Sequence, residues 1–294
     1  MTRRGHTVVT TVRSEEKAQK IRDAHPNTPK EKLDFRIVED IAKDGAFDEA
    51  VKIDGLEAVI HTASPAVKKN APTVKHVVVT SSFAAIIDAS KGPVYNHTYS
   101  EADWNPITLE QASLNPAYAY RASKTFAEKA AWDFVEKEKP NFTLSTMNPP
   151  LVFGPVIHYL NTLSALNTSN ERVRDIITGK YKNEIPDTGT FIWVDVRDLA
   201  LAHVKAVEIP EAAGKRFFVT AGYVSNKELV NIVRKNFPEL KSQLPAEDVK
   251  GGDMPEDIFK YDNSRVRTVL GIKFRTLEDS IVDLVKSLQP LVGK

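Results

Sequence analysis

His76-Val77-Val78-Val79-Thr80-Ser81-Ser82 is an unbroken apolar run closed by three hydroxyls. A run without polar alternation suits a strand buried on both faces, the habit of a parallel sheet. Upstream, Thr7 to Val12, Leu33 to Val38 and Leu56 to His61 read as further strands. Helices are expected between them, from Ser14 to about His25 and near Ala46 to Ile53. Downstream, Ala119 to about Lys137 forms a helix, with Phe126, Ala130 and Phe134 on one stripe and Ala127, Ala131 and Val135 beside it. Phe142 to Met147 returns as a strand and ends at Asn148-Pro149-Pro150. The sequence is then looser, with a polar patch at Asn167 to Asn170. A strand–helix unit (Phe191 to Glu208), a strand (Arg216 to Thr220) and two helices (Asn226 to Asn236, Leu277 to Leu288) complete the chain. This alternation predicts an α/β fold: a doubly wound parallel sheet with a smaller, mainly helical region after about residue 155.

Composition narrows the function. The 294 residues carry 40 Lys+Arg against 39 Asp+Glu, a net charge of +1 with interspersed signs. No basic face suited to a nucleic acid is expected. The absence of cysteine excludes disulfides, thiolate metal sites and cysteine nucleophiles, and suits a reducing, cytoplasmic setting. No stretch reads as a signal peptide or a membrane span. The seven histidines lack ligand spacing, so no metal is expected; Asp195 and Asp198 read as a helix start. The 13 glycines fall short of the roughly 20 that an average composition of about 7% gives.

Tyr120-Arg121-Ala122-Ser123-Lys124 carries the chemistry best. At i, i+4 the phenol and the ammonium share a helix face, and a nearby cation favours phenolate. Ser81 and Ser82 end the buried strand, where open α/β sheets place their ligands. A serine hydroxyl there can hold a carbonyl oxygen for the tyrosine to protonate. A surface helix start accounts for Tyr120 and Lys124 as well when they are taken alone. The other copy of the spacing, Tyr223 to Lys227, contains Ser225 and Glu228 and reads as a capping box.

Six blocks together resemble the extended short-chain dehydrogenase/reductases: His61-Thr-Ala-Ser-Pro65, Thr80-Ser-Ser-Phe-Ala-Ala85, Asp103-Trp-Asn-Pro106, Ala119 to Trp132, Asn148 to Pro155, and Asp195 to His203. Within them the chain is similar to fungal NADPH-dependent methylglyoxal, aldehyde and ketone reductases and to plant dihydroflavonol reductases. The resemblance implies a Rossmann-like cofactor part (residues 1–155 and 188–222) and a substrate cap (156–187 and 223–294). It implies Ser82 to orient a small-molecule carbonyl substrate, Tyr120 as proton donor, and Lys124 on the nicotinamide ribose. Pro149, Leu151 and Val152 would line the nicotinamide pocket, with Phe83 and Val152 towards the substrate. Arg13 and Lys17 would grip the 2′-phosphate of NADPH, although the residues alone read as a solvated helix start. Asp40 and Ile41 match adenine contacts; Thr62, Ala63 and Ser64, with Thr80 and Ser81, match the path of the cofactor. A monomer or weak homodimer is expected.

Two segments of that family pattern are not found. The family opens with a strand and a Gly-x-x-Gly-x-x-Gly turn whose backbone approaches the diphosphate. Here Gly5 is the only glycine before Gly45. Residues 62–75 leave no room for the family's long crossover helix. The chain therefore reads as a shortened product, with one flank of its sheet poorly covered. An epimerase or dehydratase, or a catalytically silent paralogue acting as an interaction protein, are the alternative functions.

Overall fold

The computed structural model describes residues 1–62, 72–157, 160 and 162–292. In chain order it places β1 (Val8–Val12), α1 (Glu15–Ala24), β2 (Leu33–Ile37), β3 (Ala58–His61), β4 (His76–Thr80) and β5 (Thr98–Tyr99). Helix α2 (Pro116–Glu138), β6 (Thr143–Asn148), β7 (Leu151–Phe153), α3 (Thr168–Ile177), β8 (Ile192–Asp195) and α4 (Val196–Glu208) follow. The chain continues through β9 (Lys215–Phe218), β10 (Gly222–Tyr223), α5 (Asn226–Asn236), β11 (Lys260–Tyr261), α6 (Ser264–Thr268) and α7 (Leu277–Leu288).

The main sheet runs β3-β4-β6-β9, all parallel. Its valines Val77, Val78 and Val79 are each 5% exposed or less, as a strand covered on both faces requires. Parallel register brings the carboxyl ends of β3, β4 and β6 to one edge, at His61, Thr80 and Asn148. Strands β1 and β2 form a separate parallel pair. Among the described residues no strand lies between β1 and β3, so two ladder edges face one another unpaired. A third small sheet, β10-β8-β7, leads into the helical side, where Phe153 and Trp193 pack with the inward faces of α3, α5 and α7.

Several boundaries differ from expectation. The helix expected near residues 46–53 is a chain of turns closed by single bonds such as Asp48 N to Gly45 O. Its apolar residues Phe47, Ala50 and Val51 still point into the cleft between β1 and β3, which is why their spacing imitated a helix. The patch at 167–170 instead opens α3, whose buried face is Asn170, Val173, Ile176 and Ile177. Helix α2 begins at Pro116, because Asn115 Oδ1 accepts from the amides of Ala117 and Tyr118. Its fully buried positions are Ala122, Thr125 and Glu128, while of the expected stripes Phe134, Ala131 and Val135 pack half-buried on the core beside Phe142.

Candidate active site

The early start of α2 sets Tyr120 and Lys124 in its second and third turns, beside the carboxyl end of β4. There Ser82 caps a short 3₁₀ turn, its Oγ accepting from Ala84 N at 3.1 Å. The same oxygen accepts from Tyr120 Oη at 3.4 Å. Ser82 is buried and Tyr120 is 53% exposed, so this pair has one wall in the protein and one side open to a ligand. One turn along, the half-buried Lys124 ammonium makes no hydrogen bond or ion pair with any described residue. Burial lowers its pKa, and the charge of Glu128 partly opposes that. A cation held half out of water without a protein partner is suited to a hydroxyl-bearing ligand.

A cleft of about 400 Å³ runs beside this corner, between the facing edges of β1 and β3. Val9 to Arg13 form one wall, Ala58 to Thr62 the other, and Val38, Ile41 and Phe47 contribute an apolar side. Arg13 and Thr62 are exposed at the carboxyl ends of their strands, and the Arg13 guanidinium is unpaired among the described residues. Lys17 is exposed on α1. Asp40 is exposed, and its Oδ1 accepts from Ala42 N at 2.9 Å, which shapes the turn that presents Ile41. The corner thus offers a partnerless cation and two hydroxyls, and the cleft an apolar slot with a guanidinium at its rim. No glycine follows β1; Arg13-Ser14 leads directly into α1, with Ser14 Oγ accepting from Lys17 N.

Other expected site residues are placed differently. The Phe83 ring is 4% exposed and stacks on Phe218 at 5.1 Å within an aromatic core. Its backbone amide instead ties the turn to Pro149 O at 2.8 Å. The Ser81 hydroxyl turns inward, donating to Glu128 at 2.5 Å. Thr80 Oγ1 is 2.7 Å from His203 Nε2. His203 Nδ1 lies 2.8 Å from Leu199 O, a carbonyl that can only accept, so in the neutral ring Nε2 accepts the Thr80 proton. Pro149 is buried, Leu151 and Val152 are half-buried, and Val152 N donates to Ser169 Oγ at 3.1 Å. Ala63 and Ser64 lie outside the described residues. Asp195 caps α4 as expected, and Ser225 caps α5 by accepting from Glu228 N. Tyr223 Oη donates to Phe259 O, which gives the second Tyr-x-x-x-Lys a packing role.

Among the described residues no helix is long and apolar enough to cross a membrane, and no three His, Asp or Glu gather as metal ligands. The sequence reading missed Glu128, Asn148 and Arg216, which lie under the site. The available signal for Glu128 was its position four residues after Lys124 and in line with Ala122 and Thr125.

The model of the NAD dependent epimerase/dehydratase family matches residues 1–221. A ketoreductase of Aspergillus niger is 44% identical, over 97% of this chain and 90% of its own. The NADPH-dependent methylglyoxal reductase of Saccharomyces cerevisiae is 33% identical, over 98% and 93%. The crystal structure of yeast methylglyoxal/isovaleraldehyde reductase Gre2 complexed with NADPH superposes with a TM-score of 0.88 at 32% identity, covering 98% of this chain and 93% of that one. Coverage of this extent lends no support to the reading of a shortened product.

Proposed function

This chain belongs to the NAD dependent epimerase/dehydratase family, and from that premise we propose that it is an NADPH-dependent reductase of aldehydes or ketones. The observation that carries the reading is the Tyr120–Ser82 hydroxyl pair at 3.4 Å, one turn from the partnerless Lys124. NADPH, when bound, supplies the hydride. Ser82 Oγ orients the carbonyl oxygen, and Tyr120 Oη gives it a proton as negative charge develops there. The Lys124 ammonium stabilises the phenolate left behind and takes a ribose hydroxyl. Arg13 and Lys17 meet the 2′-phosphate, with Asp40, Ile41 and Thr62 along the adenosine half. Pro149, Leu151 and Val152 border the nicotinamide. Residues 1–155 and 188–222 hold the cofactor, and 156–187 with 223–294 cap the substrate. The protein works as a monomer or weak homodimer in the cytoplasm.

The test is NADPH oxidation with methylglyoxal or isovaleraldehyde by the wild type and by Tyr120→Phe. Loss of the proton donor is expected to lower kcat by about 10²- to 10⁴-fold while NADPH still binds. Retained turnover in the variant would overturn the role of Tyr120. A wild type that binds no NADPH would instead favour the silent interaction protein.

A further inference from the structure

One turn beyond Lys124, Glu128 is a carboxylate with no solvent exposure, and the proposed chemistry makes no direct use of it. Its Oε1 accepts from Arg216 Nε at 2.7 Å and from Thr146 Oγ1 at 2.8 Å. Its Oε2 accepts from Ser81 Oγ at 2.5 Å and from Asn148 Nδ2 at 2.7 Å. Asn148 Nδ2 also donates to the backbone carbonyl of Ser82 at 3.2 Å. Arg216 continues outward, donating from Nη1 to Glu101 O and Asp103 O at 2.6 and 2.7 Å, with its guanidinium 3.7 Å from the centre of the Trp104 ring. One carboxylate thus joins α2 to the ends of β4 and β6 and to β9.

We propose that Glu128, held by Arg216 and linked through Asn148 to the Ser82 carbonyl, is the positioning residue that registers the helix of Tyr120 and Lys124 against Ser82. The inference rests on the reading of Tyr120, Lys124 and Ser82 as the reacting groups. An apolar residue at 128 would pack a helix on a sheet equally well without fixing its translation. A carboxylate bonded to donors on three strands fixes both translation and rotation. Side chains on that helix are thereby held to the tolerance proton transfer needs, since a displacement of about 1 Å costs on the order of 100-fold in rate.

The test is Glu128→Gln, which keeps the shape but sets an NH₂ among donors, with Asn148→Ala removing one donor to Glu128 together with the link to the Ser82 carbonyl, and Ser81→Ala removing one donor alone. Kinetics on variants that retain the wild-type far-UV spectrum should show kcat lowered by about 10- to 100-fold in Glu128→Gln. Asn148→Ala should fall less and Ser81→Ala least, with the carbonyl KM within about threefold throughout. Should Glu128→Gln fail to fold, the other two carry the same prediction. Crystal structures of the variants without cofactor supply a readout independent of turnover, in which the Tyr120–Ser82 distance should open beyond 3.4 Å. Unchanged kcat in every folded variant, or an unmoved Tyr120–Ser82 pair, would overturn the proposal. An inactive wild type would overturn the reductase reading alone, and the crystallographic distance would still decide the positioning role.

Discussion

Beneath Tyr120 and Lys124, polar groups from three strands converge on Glu128, and its carboxylate is closed to solvent. At the mouth of the cleft between β1 and β3, Arg13, Ile41 and Thr62 stand exposed on strand ends and turns. The difference shows where each kind of precision comes from. Proton transfer demands fixed distances, and a saturated buried network provides them. On the proposed function, holding an adenosine phosphate needs charge and an apolar slot, and exposed cations suffice for that.

Arg216→Ala should break the closed end most severely. It leaves the Glu128 carboxylate buried without its cation, a loss of about 3–5 kcal/mol that a urea-unfolding midpoint will report. Arg13→Ala probes the open end and should weaken NADPH about tenfold, roughly 1.4 kcal/mol, with NADH unaffected and the urea midpoint unmoved. Equal losses for the two cofactors in a fluorescence titration would remove Arg13 from the 2′-phosphate.

The smallest effect concerns His203, which backs Thr80 between the two ends. Burial holds its imidazole below the ordinary pKa, so the unfolded chain binds that proton more readily. The stability it contributes is complete above about pH 6.5 and declines as the pH falls below that value. His203→Gln should therefore lose less stability than wild type between pH 6.5 and 5, compared by urea midpoints.

The strands β1 to β4, β6, β8 and β9 and the helices α4, α5 and α7 were legible because burial shapes their apolar pattern, whereas the short β5, β7, β10 and β11 were not. The corner of Ser82, Tyr120 and Lys124 was legible because its residue types stand at the ends of such elements. What escaped was the interior polar chemistry. Glu128 and Arg216 are residue types that usually face water, and only their mutual pairing, 88 positions apart, admits them to the core. Phe83 escaped for the converse reason. It follows Ser82 directly, and nothing local reveals that the turn aims its ring at Phe218.

The interruption of the sheet between β1 and β3 has a mechanical consequence. Hydrogen-bond ladders transmit stiffness across a sheet, and here no described ladder spans that line. The unit β1–α1–β2 pairs within itself, and residues Arg4 and His6 clip its start to Glu208 at the end of α4. It resembles a flap fastened at one corner, with no described strand ladder setting its spacing from β3. Any ligand that touches both lips must select the spacing it fits, so its affinity contains the free energy of holding them there. On the proposed function, cofactor occupancy and rigidity of this half of the molecule become a single equilibrium.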